Sequence, residues 1–276
     1  MSTAPALAAV IGSPIGHSKS PLLHGHWLKA LGIAGHYIPI ELQTATFETG
    51  IESLRKLHFR GANVTLPFKE QAFALGDVRT DRATRSGAAN TLTFTDGASY
   101  ADNTDSYGFL NNLRQNVPGW SASSGPALVL GAGGASRAII VGLLDEGVPE
   151  IRLANRTRSR ADGLAAEFGD RVAPVDWQDL DAALPGAKTI VNTTSLGMGG
   201  NGAISIDLRR ADTDAVVTDI VYTPLETPLL KAADTIGLTT VDGLGMLLHQ
   251  AEPGFEAWFG KTPDVDTALR DVILSA

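Results

Sequence analysis

The chain has 276 residues, 43% of them hydrophobic and 19% charged, which suits two globular domains without a disordered tail. A formal net charge of −8 with no long basic cluster argues against nucleic acid or an anionic membrane surface as partner. The absence of cysteine excludes disulfides, thiolate catalysis and Cys-based zinc sites, and no apolar run approaches the roughly 20 residues a bilayer span needs. The opening MSTAPALAAVIG lacks a basic n-region, and its apolar part reads as a first strand, not a signal peptide. A cytoplasmic location is therefore expected.

The first hundred residues alternate strand and helix signals. ALAAVIG reads as strand, PLLHGHWLKALG as helix, GHYIPIEL as strand and FETGIESLRKL as helix. GANVTLPFKE follows at Gly61–Glu70: Ala62, Val64 and Leu66 alternate with Asn63 and Thr65, and Pro67 stops the strand. Lys69 opens the next helix, KEQAFAL, where a cation faces the positive end of the macrodipole. ANTLTFTDGASYA turns as a hairpin at Asp96-Gly97, and DSYGFLNNLRQNV is helical.

The rhythm restarts after SASSGP: strand PALVL, glycine turn GAGGASR, helix AIIVGLLDEG, strand EIRLANR, helix RSRADGLAAEFG and strand RVAPVD. TIVNTTS and AVVTDIVY are further strands. LGMLLHQAEPGFEAWFG and DVDTALRDVILSA are helical with no strand after them. Helices without a partner strand there are expected to return to the first domain. The fold class is thus α/β in two domains: a mostly parallel-sheet domain over residues 1–104 and 243–276, and an inserted Rossmann-type nucleotide domain over residues 105–242.

Gly131, Ala132, Gly133, Gly134, Ala135 and Ser136 lie between an apolar strand and a helix, the context a dinucleotide turn requires. Gly131 permits the tight turn, and Gly133 lets backbone amides approach a pyrophosphate. NAD-binding units place an acid about 20 residues later. Here Asn155, Arg156, Thr157, Arg158, Ser159 and Arg160 stand there instead. A carboxylate would repel a 2′-phosphate, whereas guanidinium forks attract it, so the cofactor is expected to be NADP. Thr157 is expected to cap the next helix, bringing Arg160 into its first turn, with Arg158 pointing elsewhere.

Other polar groups have ordinary explanations when taken singly. Ser20 before Pro21 reads as an N-cap, Asn90 as a turn residue and Asp105 as a cap. His24 and His26, at i,i+2, do not share a helix face, so no metal site is expected.

Taken together, GSPIGHSKSP, GANVTLPFKE, GAANT, NTD, GAGGASR, NRT, NTTSLGM, VYTPLETPL and LGMLLHQ run in an order that resembles the shikimate dehydrogenase family over essentially the whole chain. The resemblance implies an NADP-dependent oxidoreductase that interconverts 3-dehydroshikimate and shikimate in aromatic amino-acid biosynthesis. It implies that Ser18 and Ser20 hold the substrate carboxylate and that Thr65, Asn90 and Gln250 bind ring hydroxyls, with Asn63 facing the same ligand. Lys69 and Asp105 would form the acid–base pair, which explains the lysine at the helix start. Residues 131–136 with Asn155, Arg156, Thr157 and Arg160 would take NADP, Thr194, Ser195, Met198 and Gly243 would border the nicotinamide, and Tyr222 would stand near substrate or carboxamide.

The chain departs from the family pattern at Gly25, at Ala89 and at Ser106-Tyr107, so quinate stays open as a further substrate. A non-catalytic NADP and polyol-acid sensor on the same scaffold would need the serines and glycines but not Lys69. The expected partner is a small molecule, neither nucleic acid nor membrane, with the chain acting as a monomer or homodimer.

Overall fold

The computed structural model describes residues 4–276 and divides into two compact units: residues up to Asp105 with Leu248–Ala276, and Ser106–Leu247. The first unit opens with β1 (Ala6–Gly12), α1 (Ser20–Ala30), β2 (Gly35–Glu41), α2 (Phe47–Lys56), β3 (Gly61–Val64) and α3 (Lys69–Leu75). It continues with β4 (Val78–Arg79), α4 (Asp81–Ser86) and the hairpin β5 (Thr91–Thr95) and β6 (Ala98–Asp102). The strand order is β2-β1-β3-β5-β6-β4. β2, β1 and β3 are parallel, whereas β5 is antiparallel to both β3 and β6, so this sheet is mixed. Asp96 and Gly97 both take positive φ at the hairpin turn, as the Asp-Gly pair anticipates. β4 and α4 carried no readable signal, since β4 is two exposed residues at the sheet edge.

β3 differs from its expected form. It stops at Val64, and all four of its residues are buried, because it lies between β1 and β5. Its alternation therefore separates two covered faces, and Asn63 points into packed protein. Ala9, Ile11, Ala62 and Val64 join Phe47, Ile51 and Phe68 in one core, with the Phe47 and Phe68 rings stacked.

α5 (Asp105–Asn116) leads into the second unit, followed by β7 (Ala127–Leu130), α6 (Gly134–Asp145), β8 (Ile151–Ala154), α7 (Arg158–Phe168) and β9 (Val172–Val175). Then come β10 (Thr189–Asn192), β11 (Val216–Asp219), α8 (Pro228–Thr235) and β12 (Thr239–Val241). The sheet is parallel in the order β12-β11-β10-β7-β8-β9. Ala127, Val129, Val191 and Val216 pack with Phe109, Ile139, Ile140 and Leu143 on one face. Leu128, Leu130, Ile190 and Val217 pack with Leu180, Leu184, Leu229 and Leu230 on the other. Apolar residues on both sides of each strand explain the unbroken runs PALVL and AVV. α8 and β12, eight and three residues long, were not legible in the sequence.

The chain re-enters the first unit within α9 (Leu244–His249), later than the expected position 243. The long helix expected there is broken, and α10 (Glu252–Phe259), with Pro253 in its first turn, follows as a separate helix. α10 packs on β1, β3 and β5, and α11 (Thr267–Leu274) packs on α1. Trp258 Nε1 donates to Leu92 O at 3.1 Å, and Trp27 Nε1 to Asp264 O at 2.8 Å.

His24 of α1 is sealed among these rings. It stacks on Tyr37 at 3.8 Å between centroids and 5° between planes, with Trp27, Phe255 and Trp258 around it. Neither ring nitrogen meets hydrogen-bond geometry. Burial pushes the imidazole from the usual 6.5 down to about 3, offset only in part by the neighbouring Asn63.

Candidate active site

In the first unit the polar groups gather at the C-terminal ends of β1 and β3. Lys69 is the first residue of α3, and its Nζ lies 2.6 Å from Asp105 Oδ2. Asp105 is the first residue of α5, where the helix N-terminus favours a carboxylate. Its other oxygen, Oδ1, accepts from Asn90 Nδ2 at 2.8 Å, and its backbone N–H donates to Asn103 Oδ1. The lysine's ammonium is partly exposed, whereas Asp105 is buried. A cation that can exchange a proton is thus held by a carboxylate whose orientation is fixed from behind.

Asn90 is the hub of this arrangement. Its Nδ2 also donates to Gln250 Oε1 at 3.1 Å, and its Oδ1 accepts from Thr91 Oγ1, Thr104 N and Thr104 Oγ1. Thr104 Oγ1 further donates to Gln250 O at 2.7 Å. Asn90 is therefore no ordinary turn residue: both amide hydrogens are committed to Asp105 and Gln250. Thr65 lies partly exposed just past β3, with its backbone N–H donated to Ile11 O.

Asn63 is placed otherwise than expected. Its Oδ1 accepts from Tyr37 Oη at 2.6 Å, and its Nδ2 donates to Asn90 O and Thr91 Oγ1. Both amide hydrogens are spent within the protein, so the side chain supports its neighbours and does not face an open ligand side. Ser20 is also corrected: Lys19 holds the N-cap position, and Ser20 is the first helical residue with no side-chain cap bond. Ser18 Oγ accepts the Ser20 N–H at 3.3 Å instead. Burial raises the Tyr37 hydroxyl's pKa well above its usual value, with Ser20 opposing the shift. Tyr37, Thr91, Asn103 and Thr104 are members of this site that sequence reasoning missed. Thr91, in GAANT, and Asn103 and Thr104, in NTD, lay inside recognised motifs without a role, whereas Tyr37 lay outside them.

In the second unit, Gly131 has φ +114° and donates its N–H to Ala154 O, and a Cβ there would meet Thr193 Oγ1 at 2.5 Å. Gly133 and Gly134 have ordinary φ, and a Cβ on either would meet nothing within 4 Å. No contact among the described residues explains glycine at those two positions, and the outer side of the turn is open. Ser136 is fully buried and donates to Gly131 O, so its side chain holds the turn shut and does not face a cofactor. The Ala132 N–H goes to Asn155 Oδ1, and Asn155 Nδ2 to Thr157 O. Thr157 occupies the N-cap of α7, yet its hydroxyl makes no cap bond.

The three arginines separate cleanly. Arg158 pairs with Asp162 and Asp176. Arg156 and Arg160 are exposed and pair with no carboxylate among the described residues, which leaves both forks free for a 2′-phosphate. Ser195 and Met198 are exposed after β10, with Thr194 half-buried beside them, and Tyr222 is half-buried after β11, where burial raises its pKa. Gly243 is a packing requirement: a Cβ would meet Ile220 O at 2.5 Å. No group of three metal-ligating side chains gathers among the described residues.

Family models match in the same order along the chain: a shikimate dehydrogenase substrate-binding domain over residues 10–92, a shikimate/quinate 5-dehydrogenase domain over 113–243 and a shikimate 5′-dehydrogenase C-terminal domain over 243–270. The chain belongs to the shikimate dehydrogenase family. A relative from Jannaschia sp., named shikimate dehydrogenase (NADP(+)), is 56% identical over 98% of this chain and 97% of its own. The shikimate dehydrogenase fold is likewise evident in solved structures. Shikimate 5-dehydrogenase from Thermus thermophilus, in complex with NADP(H) and shikimate, matches with a TM-score of 0.87 at 36% identity, covering 98% of this chain and 99% of that one. Quinate dehydrogenase from Corynebacterium glutamicum, in complex with NAD, matches with a TM-score of 0.91 at 31% identity, covering 99% and 100%.

Proposed function

We propose that this shikimate dehydrogenase family member catalyses the reversible, NADP-dependent reduction of 3-dehydroshikimate to shikimate. The observation that carries the chemistry is the Lys69–Asp105 pair held by Asn90. In this reading the unit up to Asp105 with Leu248–Ala276 takes the substrate, and Ser106–Leu247 takes the cofactor.

The residues present fit NADP: a glycine turn open on its outer side at Gly133 and Gly134, and free guanidinium groups at Arg156 and Arg160. When bound, NADPH supplies the hydride. Lys69 gives a proton to the carbonyl oxygen as that oxygen becomes a hydroxyl, and takes it back in the reverse direction. Such help typically contributes about 10²–10⁴-fold in rate. Asp105 holds the ammonium in place. Ser18 and Ser20 bind the substrate carboxylate through hydroxyls, while Thr65 and Gln250 select ring hydroxyls and Asn90, its amide committed within the protein, holds Asp105 and Gln250 in place. Asn63 supports Asn90 from behind, and Tyr222 closes the nicotinamide side.

No helix among the described residues is long and apolar enough to cross a membrane. The proposed setting is the cytoplasm, with the chain a monomer or homodimer. Mixing the protein with shikimate and NADP and following nicotinamide absorbance tests the reading. A rising trace with NADP, much weaker with NAD, is expected. A flat trace at saturating ligand would mean a binding protein without turnover.

A further inference from the structure

The second unit holds a buried carboxylate that none of these roles uses. Asp219 ends β11 and is 1% exposed. Its Oδ1 accepts from Asn192 Nδ2 at 3.0 Å and from the Val221 N–H at 2.9 Å, and its Oδ2 accepts from Thr227 Oγ1 at 2.7 Å. Asn192 ends the neighbouring β10 and is fully buried. Its Nδ2 also reaches Leu196 O, and its Oδ1 accepts both N–H and Oγ1–H of Thr194. Ile220 N donates to Asn192 O at 3.1 Å. One carboxylate and one amide thus tie loop 193–198 to loop 220–227.

The sheet order says what those loops face. Ligands of open parallel sheets lie across the C-terminal strand ends. The Gly131–Ser136 turn follows β7, and the free arginines follow β8 on one side of it. β10 and β11 lie on the other side of β7. A dinucleotide whose 2′-phosphate sits over β8 therefore has its other half over β10 and β11. The argument rests on the proposed NADP reading.

We propose that Asp219, acting through Asn192, is a positioning residue that makes loops 193–198 and 220–227 a single surface for the nicotinamide half. The chemistry of the side chain suits the task. Three donors converge on it, so the site needs acceptors and no donor, which a carboxylate supplies. Its buried charge has no cation partner among the described residues, and burial raises its pKa, so the three hydrogen bonds are what offset its desolvation. Thr227 can donate to Asp219 and still accept the Leu230 N–H as N-cap of α8, which anchors the far end of the second loop. Gly243 seals the back, where any side chain would strike the Ile220 carbonyl.

The test compares binding of NADPH with binding of adenosine 2′,5′-bisphosphate, which carries the adenine half alone, by calorimetry on the full chain. Asp219→Ala is expected to weaken NADPH about tenfold or more while the bisphosphate stays within about twofold. Hydrogen exchange should quicken in residues 193–198 and 220–227 together. Asp219→Asn keeps the Oδ1 acceptor for Asn192 and Val221 but turns an amide donor toward Thr227 Oγ1, so its NADPH affinity should lie between those of Asp219→Ala and the wild type. Unchanged NADPH affinity, an equal loss for both ligands, or loosening of only one loop would overturn the assignment. If Asp219→Ala does not fold, Thr227→Val decides: a selective NADPH loss supports the proposal, and unchanged affinity refutes it. A wild-type protein that binds NADPH but turns over no shikimate would sink the activity reading, while the two-ligand comparison would still judge Asp219.

Discussion

Lys69 and Asp105, separated by 36 positions in the chain, meet as an ammonium–carboxylate pair at 2.6 Å, and each is the first residue of its helix. The helix field disfavours the lysine and favours the aspartate, so the pair is asymmetric. Lys69→Ala should lower kcat by about 10²–10⁴-fold. Calorimetry should find shikimate binding largely intact, because Ser18, Ser20 and Gln250 are untouched. Normal turnover by that variant would remove the lysine from the mechanism.

Arginine substitutions should split as the ion pairs do. Arg156→Ala is expected to weaken NADP by one to two orders of magnitude, since a charge-assisted bond is worth about 1.5–3 kcal/mol. NAD affinity should barely move. Arg158→Ala should leave NADP nearly unchanged, because its fork is occupied by Asp162 and Asp176. Steady-state KM values for both cofactors check all three statements.

Two glycines of one turn should fail differently. Gly131→Ala adds a Cβ at φ +114° against Thr193, and a left-handed or similar conformation alone costs about 1–2 kcal/mol. A lower unfolding midpoint is expected. Gly133→Ala meets open space, so stability should hold while NADPH affinity falls. Denaturation curves alongside calorimetric titrations separate the two.

His24 should make the fold acid-sensitive. Its folded pKa is about 3 against 6.5 in the unfolded chain, so below pH 6.5 the unfolded state binds a proton that the folded state refuses. This contribution lowers stability by about 1.4 kcal/mol for each pH unit between those limits. His24→Phe keeps a ring against Tyr37 and removes the titration. Urea midpoints at pH 7 and pH 5 should fall less for the variant, and parallel losses would show that other groups dominate.

Periodicity and turn chemistry are local properties, and where they were strong the sequence alone determined the outcome. The α/β alternation, the Asp96-Gly97 hairpin, the glycine turn after PALVL and the lysine opening α3 were all legible from neighbouring residues. Short edge elements such as β4 and β12 were not, because two or three residues cannot display a period. Tertiary structure alone decided how side chains are spent. Asn63 turns inward to Tyr37 and Thr91 and Ser136 closes its own turn, while Arg158, already expected from the sequence to point elsewhere, finds its partners in Asp162 and Asp176. Asn90, Asp105 and Gln250 converge only once the hairpin is paired with β3 and α10, just after Gln250, is packed on β1, β3 and β5. A hydrogen bond between residues far apart in the chain depends on distance and direction in space, and neither has a counterpart in the order of the residues.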